Sequence, residues 1–164
     1  MNEISAIIGQ LHDHWLDAKR DMARRCRRAG DSAMARRIDY CRLFRGDESP
    51  AEAAALMASP AGLEFCMAAG FPSLTDCRRL RPYDAGRYGL YIDAGDITVT
   101  DEARVILIGD TRARVSCTKC ARYTVAAMHG ASAIVEASGW AIVYTAAARG
   151  SRLEATRSGQ AIVL

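Results

Sequence analysis

The chain has 164 residues, half of them hydrophobic and a quarter charged, with a formal net charge of +3. That is enough for one ordinary domain or two small ones with a real core, and it excludes a disordered chain and a global basic field. No window approaches 18 uninterrupted apolar residues, and Met1-Asn2-Glu3-Ile4-Ser5 lacks a charged-then-apolar leader, so neither a membrane span nor export is expected.

Residues 3 to 29 read as one helix. Ile4, Ile8, Leu11, Trp15, Ala18 and Met22 step by fours and threes, a heptad-like seam with Ile7 and Cys26 beside it. Gly30 ends that helix, and Asp31 or Ser32 caps a second one running to about Phe44, giving an antiparallel helical hairpin. Ser49-Pro50-Ala51-Glu52 is a capping box with proline at the first helical position. Ser59-Pro60 repeats the start signal, Gly70 stops that helix, and Ser73 followed by Asp76 opens a last short helix to about Leu80. The character changes at Arg81-Pro82. Tyr88 to Asp93 and Ile97 to Thr100 alternate at period two, and helical periodicity does not return. The expected division is a helical region over 1–81 and a β region over 82–164.

The β region repeats one phrase. Ala103-Arg104-Val105 returns as Ala113-Arg114-Val115, Ala133-Ile134-Val135, Ala141-Ile142-Val143 and Ala161-Ile162-Val163, with degenerate copies at Arg122–Val125 and Arg152–Ala155. Gly130, Gly139, Gly150 and Gly159 fall between late copies. A unit of about ten residues is one strand and one turn, too short for a helix-bearing repeat, and two units make one coil of a β-solenoid. An antiparallel meander is the alternative, but Asn-Gly and Asp-Gly hairpin signals are missing between units. The predicted fold class is therefore α+β: a helical hairpin plus short helices, then a β-solenoid-like repeat.

Several stretches resemble a family of small uncharacterised proteins of gut Bacteroidales associated with mobile elements or phage. They are Ser59–Cys66, Phe71–Leu74, Tyr88–Gly95, Val105–Gly109 and Met128–Ala131. The likeness spans residues 59 to 164. It implies a helical head with a repetitive β tail, and it supplies no activity and no site residues.

Candidate chemistry is sparse. Cys117-Thr118-Lys119-Cys120 has the spacing of a zinc-chelating pair, with His129 as a third ligand, but no second close pair accompanies it, and packed thiols are the plainer reading. With six cysteines and no export signal, buried reduced thiols in the cytoplasm are expected. His12, Asp13, His14 and Asp17 read as the solvated side of the first helix. Glu136 and Glu154, 18 residues apart, are close enough to one coil to stack as a glycan-site pair. No nucleophile elbow or phosphate-binding glycine loop is present, so neither an enzyme nor a cofactor is expected.

The charge pattern offers one partner. Residues 19 to 45 hold ten basic side chains and three acidic ones, with Arg24, Arg25, Arg27, Arg28, Arg36 and Arg37 at the centre, a pattern that can neutralise phosphates. No DNA-reading motif or aromatic platform is evident around them. The chain closes on the apolar Ala161–Leu164, and solenoid ends need covering. The expected function is a structural or protein-interaction module, self-associating through that end or the seam of the first helix, in the setting of a mobile element. The alternative is a nucleic-acid-associated regulator.

Overall fold

Five helices precede nine strands in the computed structural model, which describes residues 2–164. They form two units, one up to Arg79 and one over Leu80–Leu164, dividing just ahead of the expected Arg81-Pro82. Among the described residues no helix is long and apolar enough to cross a membrane.

In the first unit, α1 (Glu3–Arg28) begins where the Asn2 side chain accepts the Ser5 N–H at 2.8 Å. Its buried stripe is Ile7, Ile8, Leu11, Trp15, Lys19 and Ala23. The expected seam holds only in part: Ile4 is 39% exposed, and the stripe passes through Lys19 and Ala23 rather than Ala18 and Met22. Lys19 buries its stem and donates from Nζ to the carbonyls of Asp39 (3.2 Å) and Cys41 (2.7 Å), lying 4.5 Å from the Trp15 ring centroid. A cation thus satisfies carbonyls at the end of α2 (Ser32–Tyr40) that have no intrahelical partner.

The same contact accounts for a second correction. The sequence pattern carried α2 to Phe44, but Cys41 is already extended (φ −62°, ψ 129°). Phe44 sets its ring edge-on to Trp15 at 6.0 Å and to His12 at 5.4 Å. The first-helix histidines are accordingly not a purely solvated face: His12 is half-buried, and His14 Nδ1 lies 2.6 Å from the buried Asp76 carboxylate. Both expected start signals hold. Ser49 and Glu52 close a reciprocal capping box at 2.7 and 3.1 Å ahead of α3 (Pro50–Ala58), and Ser59 caps α4 (Pro60–Ala69). Ser73 accepts the Asp76 N–H at the start of α5 (Leu74–Leu80).

The second unit opens with a 3-10 turn over Ala85–Tyr88 and continues as a parallel β-solenoid. One sheet stacks β1 (Leu90–Ile92), β3 (Arg104–Ile108), β5 (Arg122–Met128), β7 (Ile142–Ala147) and β9 (Ile162–Val163). The other stacks β2 (Gly95–Thr100), β4 (Thr111–Cys117), β6 (Ser132–Ala137) and β8 (Arg152–Arg157). Leu90 pairs with Ile106, a step of 16 residues, while Arg104 pairs with Thr124, Arg122 with Ile142 and Ile142 with Ile162, each a step of 20. The expected two units per coil therefore hold after a shorter first coil. Val115 stacks on Val135 in one sheet, and Val105 on Val125 and Tyr123 on Val143 in the other, filling the space between sheets beside the small Ala113 and Ala133.

The first phrase is out of phase with the later copies. Ala141-Ile142-Val143 aligns with Ala121-Arg122-Tyr123, whereas Arg104-Val105 aligns with Thr124-Val125, two residues further on. Side chains brace the turns between sheets. Asp101 takes φ +55°, and its carboxylate accepts the Thr118 N–H and O–H, both at 2.7 Å, and the Tyr123 O–H at 3.0 Å.

Candidate interaction surfaces

Parallel pairing and the pleat decide what the first sheet shows to solvent. Ala141 and Val143 point inward and are fully buried, so within β7 Ile142 and Tyr144 take the outer face, and Trp140 is exposed in the turn just before it. One coil on, Ile162 stands beside Ile142, and Leu164 continues the ladder beside Tyr144, its N–H donating to the Val143 carbonyl at 2.8 Å while its own carbonyl accepts the Thr145 N–H at 2.9 Å. Trp140 is 66% exposed, Leu164 59%, and Tyr144 and Ile162 45% each. Together these four expose on the order of 400 Å² of apolar side chain, within the range of the largest patch that a monomeric soluble protein shows. Arg122, Thr124 and Gln160 rim the patch.

The arginines of the hairpin divide into engaged and unengaged groups. Arg24 reaches Asp21 at 3.3 Å, and Arg27 is ion-paired with Asp39 across the hairpin. Arg25, Arg28, Arg36 and Arg37 are exposed and make no hydrogen bond or ion pair among the described residues. On α2, Arg36, Arg37 and Tyr40 lie opposite the buried Ala35 and half-buried Ile38, and Tyr40 is 76% exposed. From the sequence, no aromatic platform was evident around the arginines. Four-residue spacing from Arg36 is the signal that could have pointed to Tyr40.

The remaining candidates are not brought together. Cys117 ends β4 with its side chain in the solenoid core, and burial foremost, aided by the Asp101 charge, pushes its thiol up to about 11. Cys120 is exposed in the turn before β5, and His129 lies in the turn after it, at the opposite end of a seven-residue strand. Among the described residues no group of three or more His, Cys, Asp or Glu side chains is placed to hold a metal ion. Glu136 and Glu154 do not stack: Glu136 pairs with Thr156 and Glu154 with Ile134, so they sit diagonally, and Glu136 accepts from Arg114 at 3.0 Å. Comparison with known proteins finds no matching family model, no matching curated protein and no matching solved structure.

Proposed function

We propose that the chain is a non-enzymatic protein-interaction module that self-associates through the outer face of β7 and β9. The observation that carries this reading is the group of exposed apolar side chains Trp140, Tyr144, Ile162 and Leu164, with half-buried Ile142 among them, on the two-sheet scaffold. A second copy is the occupant that fits it. A standard interface takes about 800 Å² from each partner, with an apolar centre and a polar rim. The patch has such an apolar centre and, in Arg122, Thr124 and Gln160, such a polar rim, and a two-fold axis lets one patch face its own copy. The carboxylates that would suggest catalysis are already engaged: Glu136 by Arg114, Asp110 by Arg112, and Asp101 by Thr118 and Tyr123. The expected second route to association, the seam of α1, is used inside its own unit, where Ile8, Leu11 and Trp15 are buried. An accessory role in a mobile element belongs to the same proposal and rests on the sequence resemblance alone.

Sedimentation velocity from 1 to 100 µM tests it. The expected result is a reversible dimer that Trp140→Asp weakens. A buried aromatic anchor contributes about 2 kcal/mol, and a two-fold interface loses two of them, so the Kd rises about a thousandfold. The melting temperature of the variant stays near that of the parent, because Trp140 is mostly exposed in the single chain. A wild-type protein that is monomeric at 100 µM, or a Trp140→Asp variant that dimerises unchanged, refutes the proposal.

A further inference from the structure

We infer that the helical unit holds a binding site for a short-chain aliphatic carboxylate, with the alkyl end between the rings of Trp15, Phe44, Phe65 and Phe71 and the carboxylate on Arg42. The site lies within the helical unit and is independent of the sheet patch.

Two spaces that share a wall carry it. The inner one is a chamber of about 30 Å³ among α1, α3, α4 and the segment after α2. That is room for about two methyl-sized groups. None of its eleven lining side chains carries an oxygen, and burial pushes the one thiol among them, Cys66, up to about 12, so it stays uncharged. A water needs polar partners that these side chains do not supply, whereas an alkyl group gains dispersion contacts on every side. The walls are fixed in place. Trp15 stands edge-on to Phe44 at 6.0 Å, Phe65 lies 6.3 Å from Trp15, and Phe71 is edge-on to Phe65 at 6.1 Å. The helices α3 and α4 cannot close further onto the space, since their backbones already touch: a Cβ at Gly62 would lie 1.8 Å from the Leu56 carbonyl oxygen.

The outer space is an open basin of about 400 Å³, and Leu43 and Leu56, both half-buried, line it as well as the chamber. A chain end in the chamber therefore leads out past these two leucines into the basin. Four charged residues line the basin, and three are already engaged. Glu48 accepts the Arg45 and Gly46 N–H groups at 2.9 and 2.8 Å, Glu52 accepts the Ser49 N–H at 2.7 Å, and Arg45 reaches Asp47 at 3.1 Å. The fourth, Arg42, is exposed and makes no hydrogen bond or ion pair among the described residues. Its planar guanidinium presents paired donors that match the two oxygens of a carboxylate. A small apolar chamber beside an unengaged guanidinium selects a short alkyl chain that ends in a carboxylate.

The test is methyl NMR of the full chain at pH 7, with the Leu and Met methyls labelled, titrated with sodium pentanoate, 1-pentanol and pentylammonium chloride. The expected result is a saturable shift of the Leu43, Leu56 and Met57 methyls with pentanoate, at a Kd about fivefold below that of pentanol, the difference an exposed ion pair supplies. Pentylammonium, with the same tail, binds more weakly than pentanol. Arg42→Gln weakens pentanoate binding about fivefold and leaves pentanol unchanged, and its melt matches the parent's because Arg42 is exposed. Ala53→Leu, which fills the chamber, weakens both ligands about tenfold. Trp140→Asp changes neither, which separates this site from the association surface. No methyl shift at 50 mM pentanoate overturns the inference. So does pentanol or pentylammonium binding as tightly as pentanoate, or an Arg42→Gln variant that binds pentanoate like the parent.

Discussion

Gly89 and Gly150 provide a matched pair for testing how closely the first coil is packed. Both have φ +84°, so an alanine at either position carries the same left-handed strain, about 1–2 kcal/mol. They differ in what the new Cβ meets. At Gly150 there is nothing within 4 Å, and the cost stops at the strain. At Gly89 the Cβ would lie 2.3 Å from the Arg104 carbonyl oxygen and 3.0 Å from its carbon, and backbone atoms cannot rotate aside. Gly89 enters β1 against β3, and its own carbonyl accepts the Ile106 N–H at 2.7 Å. Relieving the overlap must separate the two chains there. The lost hydrogen bond costs about 1 kcal/mol, and loosening the buried Leu90 and Ile92 costs about 1 kcal/mol each. Gly89→Ala should therefore destabilise the solenoid by about 4 kcal/mol and Gly150→Ala by only about 1 kcal/mol. Urea unfolding followed by far-UV circular dichroism measures both, and amide exchange of Ile106 localises the change. If the two variants fall within about 1 kcal/mol of each other, the close approach of β1 to β3 is not what requires glycine at 89.

Two pH dependences follow from buried and hydrogen-bonded groups. Burial pushes the Cys66 thiol up to about 12, above its value in an unfolded chain, so its contribution is fully present below about pH 8.5 and lost as pH rises toward 12, by up to about 1.4 kcal/mol per unit. Cys66→Ala should flatten the fall in urea midpoint between pH 8.5 and 10, and an equal fall in both proteins contradicts the argument. Hydrogen bonds from Thr118, side chain first and backbone next, hold the Asp101 carboxyl below its ordinary value. Its contribution is present above about pH 4 and is lost as pH falls through the lowered value. Melting scans from pH 7 to 3 should therefore show Asp101→Asn trailing the parent at neutral pH and converging with it in acid. A gap that stays constant would show that the charge is not what Thr118 binds.

Helix starts were legible because caps are local chemistry: Ser49 with Glu52, and Ser59 before Pro60, act within one turn. The end of α2 was not, because Lys19, about 20 residues away in sequence, takes the carbonyls that would otherwise continue the helix. The solenoid was visible in the 20-residue recurrence of Ala113 at Ala133 and of Ala141 at Ala161. The phase of the first phrase was not. Ala103-Arg104-Val105 matches the later copies in letters but aligns two residues away in space, since a short apolar phrase fits a two-residue slip without changing which side chains face inward.

The same two-residue period explains why the candidate surfaces emerged only from the structure. In the sequence, Trp140-Ala141-Ile142-Val143-Tyr144 is an unbroken apolar run, and nothing in it says which alternate residues are core. Pairing of Val143 with Tyr123 and Val163 assigns the odd positions to the interior, which leaves Trp140, Ile142 and Tyr144 outside. Apolar residues on both faces of a strand are ordinary when both faces are covered, and helices or a second sheet usually supply the cover. Here Trp140 and Tyr144 remain open to water, a cost that folding alone gives no reason to retain. The polar counterpart of the ladder supports the same view. Across the other sheet, outward positions carry Asp96, Arg112, Arg114 and Glu136, cross-paired by ion pairs at 2.6 and 3.0 Å, with one exposed aliphatic side chain, Ile134 (44%), among them. The outer face of β7 and β9 thus carries the larger group of exposed apolar side chains in the solenoid, and that asymmetry is why the proposed association is placed there.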